Sequence, residues 1–400
     1  MNRTQTFLIA CLVAVTAGAQ NTTNSPNSMF GLGDISTGEA GKYVGMGGVG
    51  IALRSNDFLN SSNPAALTAL DSLKFVYEVG VSAAQKKYSL TGNNSSSFVG
   101  NVSNIGIGFQ AHRWWFIGIG ITPLSSVGYA ITLDETVEGT DGGTISSLFE
   151  GNGGLSKIYL SNAFRLPWNL SLGVNISYVS GKTEQSETQE SATVKETSYK
   201  RAFYTDFGVQ YKRKLSKKWD MNLGAVYGYN QRLHQTNTRT VTNTSNDETT
   251  ETKTNPTSEC MPLYYGLGVA LSNHRWTFSG DYKFLQWSEM ESDYTGVTYR
   301  DQNRMNVGME YLSSEAYNKP IHYMLGVGMN NAYIMINNKK VMNYSVSAGV
   351  AIPVMNNNLL SVGVKYDRQH SSSRGVQREQ SLSFYLNLTF SEWSPRTKIQ

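Results

Sequence analysis

Between Leu382 and Phe390 every second side chain is apolar: Leu382, Phe384, Leu386, Leu388 and Phe390 alternate with Ser383, Tyr385, Asn387 and Thr389. A period of two belongs to a strand with one oily face and one polar face. The segment is also as long as a tilted strand must be to cross a bilayer. The pattern recurs in Leu360, Val362, Val364 and Tyr366, in Tyr344, Val346, Ala348, Val350 and Ile352, and in Leu170, Leu172, Val174, Ile176 and Tyr178. From Leu73 onward it marks strands near 73–84, 98–109, 114–133, 155–165, 170–182, 198–213, 218–232, 259–271, 275–288, 299–312, 322–335, 340–352, 359–370 and 377–390. That makes fourteen, an even number.

The joints alternate in length. Residues 110–113, 166–169, 214–217, 272–274 and 353–358 make short connections, whereas 134–154, 182–197 and 233–258 are long and polar. Short periplasmic turns alternating with longer outer loops are the arrangement of bacterial outer-membrane barrels. Two joints run against the rule: 337–339 is short where an outer loop is due, and 313–321 is longish for a turn. Hydrocarbon offers no hydrogen-bond partner, so the ladder has to close on itself. The expected fold is therefore all-β, a 14-stranded antiparallel transmembrane β-barrel spanning residues 73–390.

About eight strands already give a barrel its own side chains can fill, so fourteen leave a bore that would leak. The stretch from Gly45 to Leu70 supplies the stopper. Gly45, Met46, Gly47 and Gly48 are too glycine-rich for a stable helix, and Pro64 in Asn63, Pro64, Ala65, Ala66, Leu67 forbids a central strand. Irregular backbone is tolerated at membrane depth where it lies against protein and water. Residues 20–72 are thus expected to form a luminal hatch, with Asn63 capping a short apolar helix that has Pro64 in its first position.

Ahead of the hatch, Asn2 and Arg3, the apolar residues 7–15 and Ala17, Gly18, Ala19 before Gln20 make a secretory signal peptide over 1–19. A lipoprotein box at Cys11 would leave too short an apolar region in front of it. No later apolar run approaches the ~18 residues of a membrane-spanning helix. The mature chain keeps one cysteine, Cys260, so no internal disulfide holds it together. A formal charge of +4, spread along the chain, gives no case for nucleic acid. Residues 391–400 are expected to form a periplasmic tail.

The glycine-rich segment, the Asn63, Pro64, Ala65 signature and the strands after them resemble the FadL-type long-chain fatty acid and aromatic hydrocarbon transporters. Gly118, Gly120, Thr122, Pro123, Gly128 and Tyr129 likewise resemble that family's proline-bearing third strand beside a break in the wall. The ending from Glu392 and Trp393 to Gln400 is similar to a related PorV-type branch, which serves protein secretion and surface attachment. What the resemblance implies is passive uptake of a hydrophobic molecule through the lumen and out sideways, with no energy source and no cofactor; Cys260, without a companion, offers no metal site. The expected surroundings are outer-membrane lipid and lipopolysaccharide; an exported protein is the partner under the PorV-like alternative.

Four sets of residues are candidates for the transport path. Gly120, Pro123 and Gly128 would flank a lateral opening, or a harmless bulge, since proline cannot donate to the ladder. Met29, Phe30, Leu32 and Ile35 would line an apolar pocket or simply anchor the amino-terminal arm. Gly45, Gly47, Gly48, Asn63, Pro64 and Ala65 would act as a gate or only fix the plug. Ile145, Leu148 and Phe149, at helical spacing in an outer loop, would form a capture patch. The Thr, Asn, Ser and Glu of the following loops count against a fatty acid. His112, His234, His274, His322 and His370 fall at or near strand ends without recognisable partners, so no enzyme is expected. Lys212, Arg213, Lys214, Lys217 and Lys218 cluster at a turn that solvent alone would explain, as it would the loop at Asn246, Asp247 and Glu248.

Overall fold

The computed structural model describes residues 25–36, 38–90, 93–136, 144–190, 192–243, 248–255, 259–292, 294–316, 319–354, 358–371 and 378–393. The expected signal peptide, Asn246, Asp247 and the last seven residues lie outside these. The wall consists of β1 (Lys74–Leu90), β2 (Asn93–His112), β3 (Trp115–Thr136), β4 (Thr144–Arg165), β5 (Leu170–Gln189), β6 (Ala192–Lys214) and β7 (Asp220–Gly228). It continues through β8 (Leu263–Ser272), β9 (Trp276–Gln286), β10 (Gln302–Ala316), β11 (Lys319–Asn331), β12 (Met342–Val354), β13 (Asn358–His370) and β14 (Arg378–Trp393). Each pairs antiparallel with the next. β14 returns to β1 in the register Lys74↔Trp393, and the ring of fourteen closes.

Alternation sorts the side chains. Ile119, Ile121, Ile158, Leu160, Leu172, Ile176, Phe207, Val209, Leu267, Val269, Leu325, Val327, Val362, Val364, Phe384 and Leu386 point outward and are exposed. They form the apolar band that a barrel offers to hydrocarbon, and Trp114, Trp168, Tyr211, Trp276, Tyr323 and Trp393 border it at the short-turn end. The molecule is a transmembrane β-barrel.

The strands are longer than the apolar periodicity. Much of the expected loop 134–154 is the paired upper part of β3 and β4, down to Thr136↔Thr144. Nearly all of 182–197 pairs in the same way, Gln189 with Ala192. The polar stretch 233–258 holds a further hairpin, His234–Asn243 with Glu248–Thr254, stacked on the upper edge of β6. Above the membrane both faces meet water, so alternation between apolar and polar residues is no longer required there. The short joint near 337 is a tight turn whose Asn337 and Asn338 take left-handed φ, after a two-stranded ribbon between Ile334–Ile336 and Val297–Tyr299. In the longish joint 313–321, β10 and β11 carry on past a bulge to Ala316↔Lys319. Glu392 and Trp393 do not begin a tail, because they pair with Phe75 and Lys74 in the last strand.

Candidate functional site

Two bodies occupy the bore. The lower is the hatch proper, where Lys42–Gly45 make one helical turn and Pro64–Ala69 a 3-10 helix. Asn63 caps the latter, its Oδ1 accepting from Ala65 N at 3.0 Å while its Nδ2 donates to Ile51 O at 2.8 Å and Val209 O at 3.2 Å. A single amide thus ties the helix to another hatch loop and to the wall. Asn63→Ala is expected to destabilise the hatch by about 2 kcal/mol, one lost cap plus orphaned buried carbonyls. Faster cleavage of the hatch by a protease added to the folded barrel would measure it.

Other wall side chains hold the hatch backbone in the same manner. Asp281 accepts from Gly50 N at 2.6 Å and Ile51 N at 2.8 Å. Ser347 Oγ accepts from Gly47 N and donates to Gly45 O. Gln210 Nε2 donates to Ile51 O, and Glu78 accepts from Leu59 N. Arg54 of the hatch donates to Gln210, Ser171 and Thr68; burial, then the nearby Arg165 guanidinium, lowers it to about 10.

One buried cluster does not follow this pattern. Lys42 Nζ sits 3.2 Å from Glu310 Oε2, both side chains 5% exposed, and His322 Nδ1 lies 2.7 Å from Glu310 Oε1. Phe58 of the hatch closes the group, edge-on to the His322 ring. His322, expected near a strand end without a partner, is a luminal residue of β11 turned onto a carboxylate of β10.

The wall leaves room for the hatch through its own glycines. A Cβ on Gly173, Gly208, Gly224, Gly308 or Gly326 would enter the backbone or side chains of Ala65, Asn63, Ile51, Met46 and Gly47. On the other side of the contact, Gly47 and Gly48 take positive φ, and a Cβ on Gly48 would strike the Glu39 carboxylate. Met46 is fully buried between them.

The upper body is the amino-terminal arm, residues 25–36. Its Asp34–Ile35 pairs with Ser126 and Ser125 of β3, and Ser36 N donates to Leu124 O. Ser25 N and Ser28 Oγ both donate to Gly128 O, and Gly128 N donates back to Ser28 Oγ. An edge of β3 is open to the arm because β2 and β3 part company: their pairing ends at Ile105↔Ile121, though both strands run on. Immediately beyond that point lies Pro123, with a register shift in β3–β4 between Pro123 and Ser125. Gly120 sits at the fork, where Tyr159 fills the space a side chain would need.

Between arm and hatch is a cavity of about 790 Å³. Val99, Val102 and Ser103 of β2 and Pro123, Ser125 and Ser126 of β3 line it on the side of the split. Ile35 borders it, whereas Leu32 is 2% exposed inside a cluster with Leu155, Trp287, Met290 and Tyr333. Phe30 stands edge-on to Tyr294, and Met29 O accepts from Gln185. Leu32 is thus packed as an anchor. The remaining lining is largely polar, with Lys86 bridging Asp34 of the arm at 3.0 Å and Glu379 at 3.2 Å, and Lys365 paired with Asp367.

Ile145, Leu148 and Phe149 are neither helical nor in a loop. They lie on β4 opposite Glu135, Thr132 and Ile131. A strand puts Ile145 and Phe149 on one face and Leu148 on the other, so the three do not form one patch. Among the described residues no cluster of three His, Cys, Asp or Glu side chains could hold a metal ion.

Comparison with known proteins fits this architecture. The model of the BamG family matches residues 1–400, the whole chain. The chain belongs to the BamG family. Solved structures similar to this BamG-family barrel include the CymD monoaromatic hydrocarbon channel, at TM-score 0.60 and 15% identity over 90% of this chain and 99% of that one. The toluene transporter TbuX of Ralstonia pickettii matches at TM-score 0.59 and 16% identity over 88% and 98%. TodX, the toluene transporter of P. putida, matches at 0.60 and 15% over 89% and 98%. No curated protein sequence matches the chain. The fold is that of the FadL-type channels.

Proposed function

We propose that this barrel is a passive conduit in the outer membrane of a Gram-negative cell, taking a small hydrophobic compound, fatty acid-like or aromatic, into the lumen and out through the wall. The observation that carries this is the split seam: two neighbouring strands stop pairing at Ile105↔Ile121, and a luminal cavity reaches residues of both strands beyond that point. Three neighbours of the same fold are a monoaromatic hydrocarbon channel and two toluene transporters, which supports the reading. Gly120, Pro123 and Gly128 would frame the exit, and Ile35 with Val99 and Val102 would supply its apolar contacts. The arm bonded along β3 would have to shift for the exit to open fully.

The test uses the full chain in liposomes with toluene as probe. Protein-dependent flux is expected, falling to the lipid-only rate in Val102→Trp, whose ring would fill the gap. Flux equal to that of empty liposomes, or unchanged in Val102→Trp, would sink the proposal.

A second reading, a PorV-like partner in protein secretion or surface attachment, draws on how firmly the bore is stoppered. The hatch is fastened by a buried ion pair and by backbone contacts with glycines of the wall, and the arm occupies part of the opened edge. A stoichiometric exported protein purifying with the barrel would favour it; a lipid-like molecule bound near Ile35 and Pro123 would favour uptake.

A further inference from the structure

The short-turn rim is chemically lopsided. Arg213, Lys214, Lys217 and Lys218 are all exposed around the β6–β7 turn, and none is in an ion pair among the described residues. Lys212 is satisfied by Asp220 at 2.9 Å, which leaves that carboxylate spent. Arg113 and Arg275 extend the positive arc on the flanking turns, and both are exposed. These turns touch one another: Arg165 N donates to Trp114 O, Lys212 N to Asn169 O, and Trp219 stacks 6.4 Å from Phe278. The four turns therefore lie in contact from the end of β2 to the start of β9; three of them carry the cations, and the β4–β5 turn between contributes Trp168.

Depth decides what meets it. Phe203, Phe207, Val209, Tyr211 and Arg213 share the outward face of β6, so the Arg213 guanidinium follows directly below the aromatic border of the lipid band. That is the level of phospholipid phosphates. Trp168, at the tip of the neighbouring turn, is 86% exposed, and Leu215 is 53% exposed. Tryptophan, leucine and several cations together are the composition of a surface seated in a headgroup layer, with long side chains reaching for phosphate. An acidic protein could meet the charges, but lipid is the one neighbour every spanning strand must have, and Arg213 faces it.

We infer that this arc is a binding surface for anionic phospholipid headgroups of the inner leaflet, collected on one side of the barrel at the β6–β7 turn. Guanidinium and ammonium groups would each take a phosphate oxygen, and the indole of Trp168 would rest among the glycerol backbones. The inference is independent of what the lumen carries.

The full chain in nanodiscs of phosphatidylcholine with a minor fraction of phosphatidylglycerol tests it. Native mass spectrometry after release should find phosphatidylglycerol retained roughly tenfold above its share. The variant R213Q/K214Q/K217Q/K218Q should return to the bulk ratio, and R239Q/K253Q on the outer hairpin should keep the enrichment. Heat-modifiable gel migration establishes that each variant is folded. No enrichment in the parent, or enrichment that survives the fourfold variant or fails equally in R239Q/K253Q, overturns the inference. So does a cellular photo-crosslink from position 217 to a protein when the nanodiscs show no lipid preference.

Discussion

Gly326→Val should unseat the hatch and turn a stoppered barrel into an ion-conducting one. Gly326 lies on the luminal face of β11, where an added Cβ would fall on Gly47 N and the Met46 carbonyl carbon. Both obstacles are main chain, so no rotamer change can relieve the overlap, and the hatch segment cannot retreat while Ser347 holds Gly45 and Gly47. Overpacking typically costs about 1–3 kcal/mol; with backbone on the receiving side, the upper end is expected. Since valine is a better strand residue than glycine, the wall itself should not suffer. Gly280→Val makes the control, because the nearest atom a Cβ would meet there is Asn306 O at 3.9 Å. Planar-bilayer conductance should rise for Gly326→Val and stay at the parent level for Gly280→Val. A closed Gly326→Val barrel would mean that the glycine contact does not hold the stopper.

The same glycines show what could be seen in advance. Alternation at Leu382 to Phe390 was enough for the lipid face, because hydrocarbon tolerates nothing else there, and the fourteen strands follow from it. Beyond the membrane that constraint ends. The polar upper reaches of β4 and β5 read as loop, and Ile145, Leu148 and Phe149 passed for a helical patch although their spacing is accidental on a strand. Gly106 and Gly108, Gly118 and Gly120, Gly266 and Gly268, and Gly326 and Gly328 carry a signal of another kind. Glycine at every second position on the face away from lipid marks where another segment comes close: the side chains of Leu59, Leu67 and Ile51 and the backbone of Gly47 lie along that track. The site itself was half legible. Pro123 announced a break in pairing, as a residue without an N–H must, but nothing local could tell that β2 and β3 separate or that the arm would take the vacated edge. The cluster of Lys42, Glu310 and His322 was hidden for a simpler reason: 268 residues separate its hatch lysine from its wall carboxylate. No periodicity connects positions that only the closure of a ring brings together.

That cluster should be the other strong point of attachment. Glu310 alone faces two basic side chains, Lys42 from the hatch and His322 from the next strand, in surroundings where each is nearly dry. Removing the carboxylate in Glu310→Leu leaves the Lys42 ammonium buried without a counter-charge, a loss of about 3–5 kcal/mol for pairs of this kind. The lysine escapes that penalty by giving up its proton or by leaving; because it sits on the helical turn Lys42–Gly45 next to Met46, leaving carries the hatch with it. Lys42→Met by itself should cost less, because Glu310 keeps His322 as a partner. In the double variant Lys42→Met, Glu310→Leu no ammonium is stranded and the hatch should stay seated, more stable than in Glu310→Leu alone. Thermal unfolding of the four proteins measures the coupling, and bilayer conductance reports whether the stopper has moved. Independent, additive losses from the two single changes would mean that the pair does not fasten the hatch, and that the glycine track and the backbone hydrogen bonds hold it unaided.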